Sequence, residues 1–337
     1  MPQKLMDDIL SQAVKINASD IHIHPFKDRY LLRLRVHGTL FPLRYLPRET
    51  AEKLISFLKF QAALDISEKR KPQSGSYEKE LAVEKVALRL STIPNKDFRE
   101  SLVMRIFRYK NPIPFMKSSL FPHLTEQIIR QCTNQTGLFL FSGSTGSGKS
   151  SSMYSLVSFI KKYSELQVIT IEDPVEHYSP EFLQVEINEK AHLNYASLIR
   201  AVLRHDPDIL IIGEIRDEET AKMVIRAALT GHLVLSTVHA GDSYGVLLRL
   251  LEFGISQEEL AQCLLGISFQ QLVHLYCVYC GPKCHPNCSH LERKRTAIYE
   301  VLSKQNIQSY FQSNKQQTKP KHTLQEIQQK EIAYGFF

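Results

Sequence analysis

A glycine-rich segment that ends in lysine carries the clearest chemical signal in the chain. An apolar run at 138–141 leads into Gly143, and Gly148-Lys149-Ser150 follows at the spacing G-x-x-x-x-G-K-[ST]. Glycines let the backbone curl until successive N–H groups point at an anion, and the helix expected from Lys149 adds its positive amino-terminal end. The spacing predicts a phosphate-binding loop, which we call the P-loop. Its predicted contact residues are Gly143, Ser144, Thr145, Gly146, Ser147, Gly148, Lys149, Ser150 and Ser151.

The residue types of the P-loop fit a nucleotide with Mg²⁺. Lys149 would reach the β- and γ-phosphates, and the Ser150 hydroxyl would ligate the metal. Apolar residues then recur at helical spacing, which gives the strand–loop–helix order that such a loop requires. These helix positions are Met153, Leu156, Val157 and Ile160. We therefore predict a nucleotide and Mg²⁺ at this site.

Acidic residues and a histidine follow three further apolar runs. The runs at 168–171, 209–212 and 234–238 are followed by Glu172 and Asp173, by Glu214 and by His239, respectively. In open α/β sheets, ligands bind beyond the carboxyl ends of the strands. We therefore expect these side chains to lie at the same edge of the sheet as the P-loop.

The residue types at this edge suit hydrolysis of a terminal phosphate, which needs a positioned water, Mg²⁺ and cations for the developing charge. Glu214 follows an apolar strand and a glycine, so it is the candidate to orient and deprotonate the water. Glu172 and Asp173 are the candidates to hold Mg²⁺ through its waters, because magnesium dehydrates reluctantly. His232 and His239 are candidates to contact the γ-phosphate, with a structural role at the sheet edge as the alternative for each.

Composition limits the classes of protein that the chain can be. Its 337 residues suggest two domains, and 43% hydrophobic residues suffice for buried cores. The net charge of +7 permits contact with nucleic acid or an anionic membrane but does not require it. No run of about 18 apolar residues predicts a transmembrane helix, and the first residues suggest an amphipathic helix rather than an export signal. We expect a cytoplasmic protein.

A proline-rich segment separates two regions with different patterns. Residues 1–110 alternate polar and apolar positions and predict a small α+β domain, with a polar loop at 69–76. Residues 111–119 form the linker, since X-Pro steps favour extended backbone. From 120 to 337, β-branched runs alternate with helical patterns and predict a mostly parallel sheet covered by helices, with a last helix at 324–332.

Four of the six cysteines are clustered in the second domain, in the pattern Cys277-x₂-Cys280-x₃-Cys284-x₃-Cys288. Four thiolates within twelve residues suffice for a tetrahedral Zn²⁺ site, which would be structural because no ligand position stays open. Reduced free thiols and a disulfide are the alternatives, and the absence of an export signal disfavours the disulfide. The cluster predicts a zinc knuckle at 277–288.

Longer segments of the chain resemble the secretion-type ATPases, the family that powers type II secretion, type IV pilus assembly and competence pseudopili. The P-loop is followed in order by segments similar to the family's aspartate box, Walker B stretch and histidine box, at 169–176, 206–217 and 230–239. The first domain is similar to the family at 18–22, 70–75 and 88–94. The resemblance covers about residues 15–275 and is greatest to the members from competence systems.

The resemblance implies an α/β fold in which a RecA-like P-loop NTPase domain with a mostly parallel sheet follows a small α+β (PAS-like) domain. It also implies a ring-shaped homohexamer, with ATP bound between the domains. The outward-facing arginines of the first domain could be ordinary surface charge. Two of them, however, resemble the family's phosphate-facing cations. The catalytic residues implied in this way are Glu214, Lys149, Glu172, Arg89, Arg105 and His239.

The function implied by the resemblance is mechanical. ATP-driven domain rotation would push on a polytopic inner-membrane platform protein, which adds pilin subunits to a pseudopilus used for DNA uptake in transformation. The motor would be cytoplasmic and peripheral at the inner face of the membrane through that partner. Direct binding of nucleic acid is not expected, because no basic track with stacking aromatic residues stands out in a chain without tryptophan.

The sequence departs from the family pattern at three places. Ser144 stands where the family usually has proline, and Ser150 stands where it usually has threonine, and both keep the chemistry. After His239 the usual Thr-Asn-Asp is Ala240-Gly241-Asp242, so a role of that threonine does not carry over.

Three alternatives stay open at this point. A pilus-retraction motor belongs to the same class of enzyme, but such relatives generally lack the cysteine knuckle. A RecA-like translocase would show hydrolysis stimulated by DNA. A scaffold that binds nucleotide without hydrolysing it is disfavoured by the presence of both Lys149 and Glu214.

Overall fold

The computed structural model describes residues 2–81, 84–108, 113–188, 191, 193–281, 284–285, 288, 290–291, 293–312, 324, 326 and 329. The chain divides into two compact units. The first comprises Met1–Lys110 and Cys284–Glu292, and the second comprises Asn111–Lys283 and Arg293–Phe337.

The first unit contains a six-stranded antiparallel sheet in the order β3-β2-β1-β6-β5-β4. Its strands are β1 Ala18–Phe26, β2 Arg29–Val36, β3 Thr39–Pro47, β4 Gln73–Glu80, β5 Lys85–Pro94 and β6 Glu100–Arg108. Helices α1 (Pro2–Lys15) and α2 (Arg48–Gln61) pack their apolar sides into the same core as the strands. In β5 the buried residues Val86, Leu88 and Leu90 alternate with outward positions, as period-2 side-chain geometry requires.

The polar loop predicted at 69–76 is wrong in its second half, because β4 begins at Gln73. This strand lies at the edge of the sheet, and none of its side chains is fully buried. An edge strand of this kind carries no apolar alternation, so the sequence pattern gave no indication of it.

The second unit contains a seven-stranded sheet in the order β13-β12-β7-β11-β10-β8-β9, in which only β13 is antiparallel to its neighbour. Its strands are β7 Gly137–Ser142, β8 Val168–Glu172, β9 Leu183–Glu186, β10 Ile209–Ile212, β11 Leu233–Val238, β12 Leu264–His274 and β13 Arg295–Ser303. Every residue of β7, β8, β10 and β11 is buried, since helices cover both faces of a parallel sheet. The predicted α/β fold is confirmed.

The helices of the second unit are α3 Pro122–Cys132, α4 Lys149–Lys161, α5 Tyr195–Val202, α6 Glu218–Leu229, α7 Ser243–Glu252, α8 Gln257–Cys263 and α9 Lys304–Gln312. Strands β12 and β13 were not among the predicted runs. Of the helix predicted at 324–332, only residues 324, 326 and 329 are described. Within the described ranges no helix is both long enough and apolar enough to cross a membrane.

Candidate nucleotide site and cysteine cluster

The P-loop connects β7 to α4 through three glycines with positive φ. Gly143, Gly146 and Gly148 have φ values of 138°, 79° and 88°, in the region that favours glycine. At Gly143 an added Cβ would lie 2.3 Å from the backbone oxygen of Gln270, so only glycine fits against β12. The sequence therefore folds this segment into a tight loop at the amino-terminal end of a helix, where anions bind.

The side chain of Lys149 lies inside the P-loop. It is 9% exposed, and its Nζ donates hydrogen bonds to the carbonyl oxygens of Gly143 (2.9 Å) and Ser144 (3.0 Å). Burial lowers the pKa of Lys149, while the carboxylates of Glu214 and Glu176 act in the opposite direction. A cation held here at the start of α4 fits the phosphate role predicted for it.

The P-loop follows β7, one of four neighbouring parallel strands. In the order β7-β11-β10-β8, Ser142 lies opposite Val238, and Ile212 lies opposite both Ser236 and Ile171. Parallel strands end at a common edge. The same side of the sheet therefore carries the P-loop, His239 and Glu214, which follow their strands, and Glu172, which is the last residue of β8. The sequence pattern was enough to expect these residues at one edge of a parallel sheet. It was not enough to predict which side chains each of them contacts.

Glu172 is held in a buried hydrogen-bond network at the end of β8. It is 5% exposed and accepts hydrogen bonds from the Tyr154 hydroxyl and from Thr170 Oγ1, the latter at 2.8 Å. The Tyr154 hydroxyl in turn accepts a hydrogen bond from Gln184 Nε2 at 2.7 Å. Burial raises the pKa of Glu172, and the hydrogen bonds from Tyr154 and Thr170 oppose that rise.

Glu214 lies beside two exposed basic side chains at the end of β10. One of its carboxylate oxygens pairs with the Arg216 guanidinium, and the other lies 3.8 Å from His239 Nε2. The Glu214 side chain is 18% exposed, whereas those of Arg216 and His239 are 61% and 53% exposed. Arg216 also lies 3.9 Å from Asp173, which follows Glu172. This end of the sheet therefore brings together an acid, two basic side chains and a second acid.

His232 is not brought to the P-loop. It precedes β11, and its backbone oxygen accepts a hydrogen bond from the amide of Gly137, at the start of β7. Its Nδ1 lies 3.0 Å from the backbone oxygen of Ala227 and 3.2 Å from Thr230 Oγ1. The P-loop follows the other end of β7, so this chain does not bring His232 to its own P-loop. The predicted γ-phosphate contact and its alternative, a structural role at the sheet edge, both stay predictions.

Arg89 and Arg105 lie opposite one another on the open face of the sheet in the first unit. Arg105 Nε donates a hydrogen bond to Asp20 at 2.9 Å, and Arg35 Nε lies 3.8 Å from the other oxygen of Asp20. The Arg105 side chain stays 53% exposed despite this pair. The phosphate-facing role of Arg89 and Arg105 stays a prediction.

The four clustered cysteines meet the distance requirement of a metal site. Their Sγ atoms all lie within 4.8 Å of one another, and Cys277 is buried while the other three are partly buried. A tetrahedral site with Zn–S bonds of about 2.3 Å separates its sulfurs by about 3.8 Å, so the arrangement fits Zn²⁺. None of the six cysteines is in a disulfide.

Three residues that contact the P-loop and α4 were not recognised in the sequence. Gln270 Nε2 donates to the backbone oxygen of Ser147 at 2.6 Å, Tyr299 Oη lies 3.0 Å from Ser152 Oγ, and His177 Nε2 lies 3.1 Å from Ser151 Oγ. Gln270 and Tyr299 belong to β12 and β13 and face each other in register. The sequence signal that could have identified Gln270 is its position as a polar residue at the end of an apolar run.

With this geometry established, comparison with known proteins assigns the family. The family described as "Type II/IV secretion system protein" matches residues 2–335, so the chain belongs to it. The competence protein ComGA of Bacillus subtilis (strain 168) is 40% identical over 99% of this chain and 95% of its own length. The type IV pilus assembly ATPase PilB of Thermus thermophilus is 38% identical over 89% of this chain but only 34% of its own length.

Solved structures agree on the fold. The ATPase DotB of Legionella pneumophila has a TM-score of 0.76 at 22% identity and covers 99% of this chain and 92% of its own. The pilus retraction motor PilT with bound ADP has a TM-score of 0.70 at 24% identity and covers 98% of this chain and 94% of its own. The family predicted from the sequence is confirmed: this is a secretion-type ATPase chain similar to competence proteins.

Proposed function

We propose that the chain is an ATP-hydrolysing motor that drives assembly of a competence pseudopilus for DNA uptake. The observation that carries the proposal is the placement of Lys149 and Glu214 after β7 and β10, two parallel strands that are separated by β11 and end at the same sheet edge. This placement gives a phosphate grip and a candidate base for water on the same side of the sheet. The likeness to ComGA over nearly the whole of both chains supports the competence context.

In this proposal Lys149 and the P-loop amides bind the phosphates of ATP, and Ser150 ligates Mg²⁺. Glu172 and Asp173 hold the metal through its waters, and Glu214 orients and deprotonates the attacking water. His239 Nε2 lies 3.8 Å from one carboxylate oxygen of Glu214. Mg²⁺ would neutralise the charge that develops on the transferred phosphoryl group.

The motor is proposed to act as a homohexamer that contacts a polytopic platform protein of the inner membrane. It would be cytoplasmic and peripheral at the membrane through that partner, in keeping with the competence and type II secretion proteins among its relatives. Direct nucleic-acid binding has no part in the mechanism.

The test is ATP hydrolysis by the purified full chain, with its mass measured by light scattering. We expect a hexamer that releases phosphate, and a loss of about 100-fold or more in Lys149→Ala, since that change removes the buried cation of the loop. Lys162→Ala is the matched control, because Lys162 is an exposed lysine at the other end of α4. A wild-type chain that forms rings without hydrolysing ATP would contradict the motor. Hydrolysis that rises strongly with added DNA would favour the translocase.

The cysteine cluster is proposed to bind one structural Zn²⁺ per chain. Metal analysis of the purified chain should give about one equivalent of zinc, and Cys284→Ser should lose it because a tetrahedral thiolate site needs all four ligands. Cys132→Ser is the control, since Cys132 is a buried residue of α3 that does not belong to the cluster. A metal-free chain whose four thiols react rapidly with a thiol reagent would support free cysteines instead.

A further inference from the structure

Gln270 is a fully buried polar residue in contact with the P-loop. Its side chain is 0% exposed in β12, and its amide Nε2 donates a hydrogen bond to the backbone oxygen of Ser147 at 2.6 Å. A carbonyl oxygen can only accept, so the NH₂ group of the amide, and not its oxygen, must face Ser147. The contact therefore fixes the orientation of the side chain.

The other half of the Gln270 amide has no partner. Its Oε1 is buried without a hydrogen bond among the described residues, and so is the hydroxyl of Ser147. A buried acceptor without a donor destabilises a fold, so an apolar side chain of similar volume would pack here at lower cost. Stability therefore does not explain a glutamine at this position. Its side-chain hydrogen bond to Ser147, in the P-loop, gives a better explanation.

That contact controls the direction of a P-loop amide. In a trans peptide the C=O and N–H groups point in opposite directions. Because the oxygen of Ser147 points at Gln270 in β12, the N–H of Gly148 points away from β12. Gly148 has a φ of 88° and precedes Lys149, at the position where loop amides turn towards a bound phosphate.

We propose that Gln270 is a positioning residue of the nucleotide site, whose side-chain amide holds the Ser147–Gly148 peptide so that the Gly148 N–H faces the bound phosphate. The inference rests on the proposed nucleotide function. The same residue also limits the start of the loop, since its backbone oxygen leaves no room for a Cβ at Gly143. Strand β12 thus contacts the P-loop at both ends.

The experiment compares Gln270→Met, which removes the donor at similar volume, with Ser268→Ala on the same face of β12. The buried hydroxyl of Ser268 has no hydrogen-bond partner in the part of the chain that the structure describes, so its removal breaks no hydrogen bond there. We expect Gln270→Met to raise the Kd for a fluorescent ATP analogue and the KM for ATP about tenfold, with a smaller change in kcat. Thermal unfolding without nucleotide should be unchanged or raised, because the unpartnered oxygen is gone.

Gln270→Asn is the second variant. It keeps a buried amide, but its side chain is shorter by one methylene, so the NH₂ donor no longer reaches the oxygen of Ser147. It should show the same rise in Kd even if the methionine variant folds poorly. Nucleotide affinity equal to wild type in either folded variant would overturn the positioning role. A wild-type chain that binds no nucleotide would instead overturn the proposed function, so the two failures are distinguishable.

Discussion

The ends of β8 and β10 lie side by side in the sheet and hold their acidic residues in opposite ways. Glu172 is buried and receives hydrogen bonds from two neutral hydroxyls, those of Tyr154 and Thr170. Glu214 is partly exposed, pairs with the Arg216 guanidinium and lies near His239. Neighbouring strands therefore end in one acid that is fixed and one whose partners are exposed.

The difference indicates a division of roles. A carboxylate that is desolvated and fully hydrogen-bonded keeps its position, which suits the placement of metal-bound water. A carboxylate with exposed basic partners can exchange them, which suits an acid that must meet water and then release a proton. Substitutions at the β8 end and substitutions at the β10 end should therefore have different effects on hydrolysis and on stability.

The largest expected effect is on hydrolysis by Glu214→Gln. Loss of the base should slow single-turnover phosphate release by about 100-fold or more, while ATP binding is retained. Glu172→Gln should reduce turnover less, since its amide oxygen can still accept hydrogen bonds. The exposed Glu219 of α6 provides the control, as Glu219→Gln. Equal losses in Glu214→Gln and Glu172→Gln would remove the distinction between the two ends.

The next largest effect is on stability, from Tyr154→Phe. Removing this hydroxyl leaves buried Glu172 without one donor and should lower the free energy of unfolding by about 2 kcal/mol. Urea denaturation would measure the change, with Tyr163→Phe as the control because Tyr163 is 71% exposed. A loss no greater than that of the control would show that the network does not hold Glu172 in place.

A pH-dependent effect follows from burial of Glu172. Because its pKa is raised in the folded state, the folded chain binds more protons than the unfolded chain between the two pKa values. The stability of the wild type should therefore fall relative to Glu172→Gln as the pH rises through the folded pKa. Melting curves between about pH 4 and pH 8 would measure this, with exposed Glu165→Gln as the control. Parallel curves for wild type and Glu172→Gln would contradict the raised pKa.

The smallest effect is expected from Arg216→Ala. The Arg216 side chain is 61% exposed, so its ion pair with Glu214 should contribute about 0.5 kcal/mol or less to stability. Chemical denaturation in low salt would detect it best, with the exposed Arg204→Ala as the control. A large loss of stability would mean that the β10 end is as rigid as the β8 end.

The sequence predicted what depends on local patterns. Glu172 and Glu214 could be placed at one edge because each follows a continuous apolar run, and parallel strands share their direction. His232 precedes β11 and lies away from the P-loop of its own chain, although it is only seven residues from His239. Distance along the chain says little about which end of a strand a residue occupies.

The support of the P-loop could not be predicted in the same way. Gln270 lies more than a hundred residues from Ser147, and only the pairing of β12 with β7 brings the two together. Strand β4 escaped prediction because its edge position imposes no apolar alternation. Sequence patterns do not predict contacts that depend on the order of strands in the sheet, because the residues involved are far apart along the chain.

The pairing of Arg216 with Glu214 has a consequence for a chain at rest. In the proposed mechanism the attacking water must reach the Glu214 carboxylate, and the Arg216 guanidinium occupies one of its two oxygens. While the pair is intact, the proposed hydrolysis of ATP would be slow. Under the proposed mechanism, fast hydrolysis would begin only when a competing anion displaces the Arg216 guanidinium from Glu214. A resting motor would then hydrolyse little ATP.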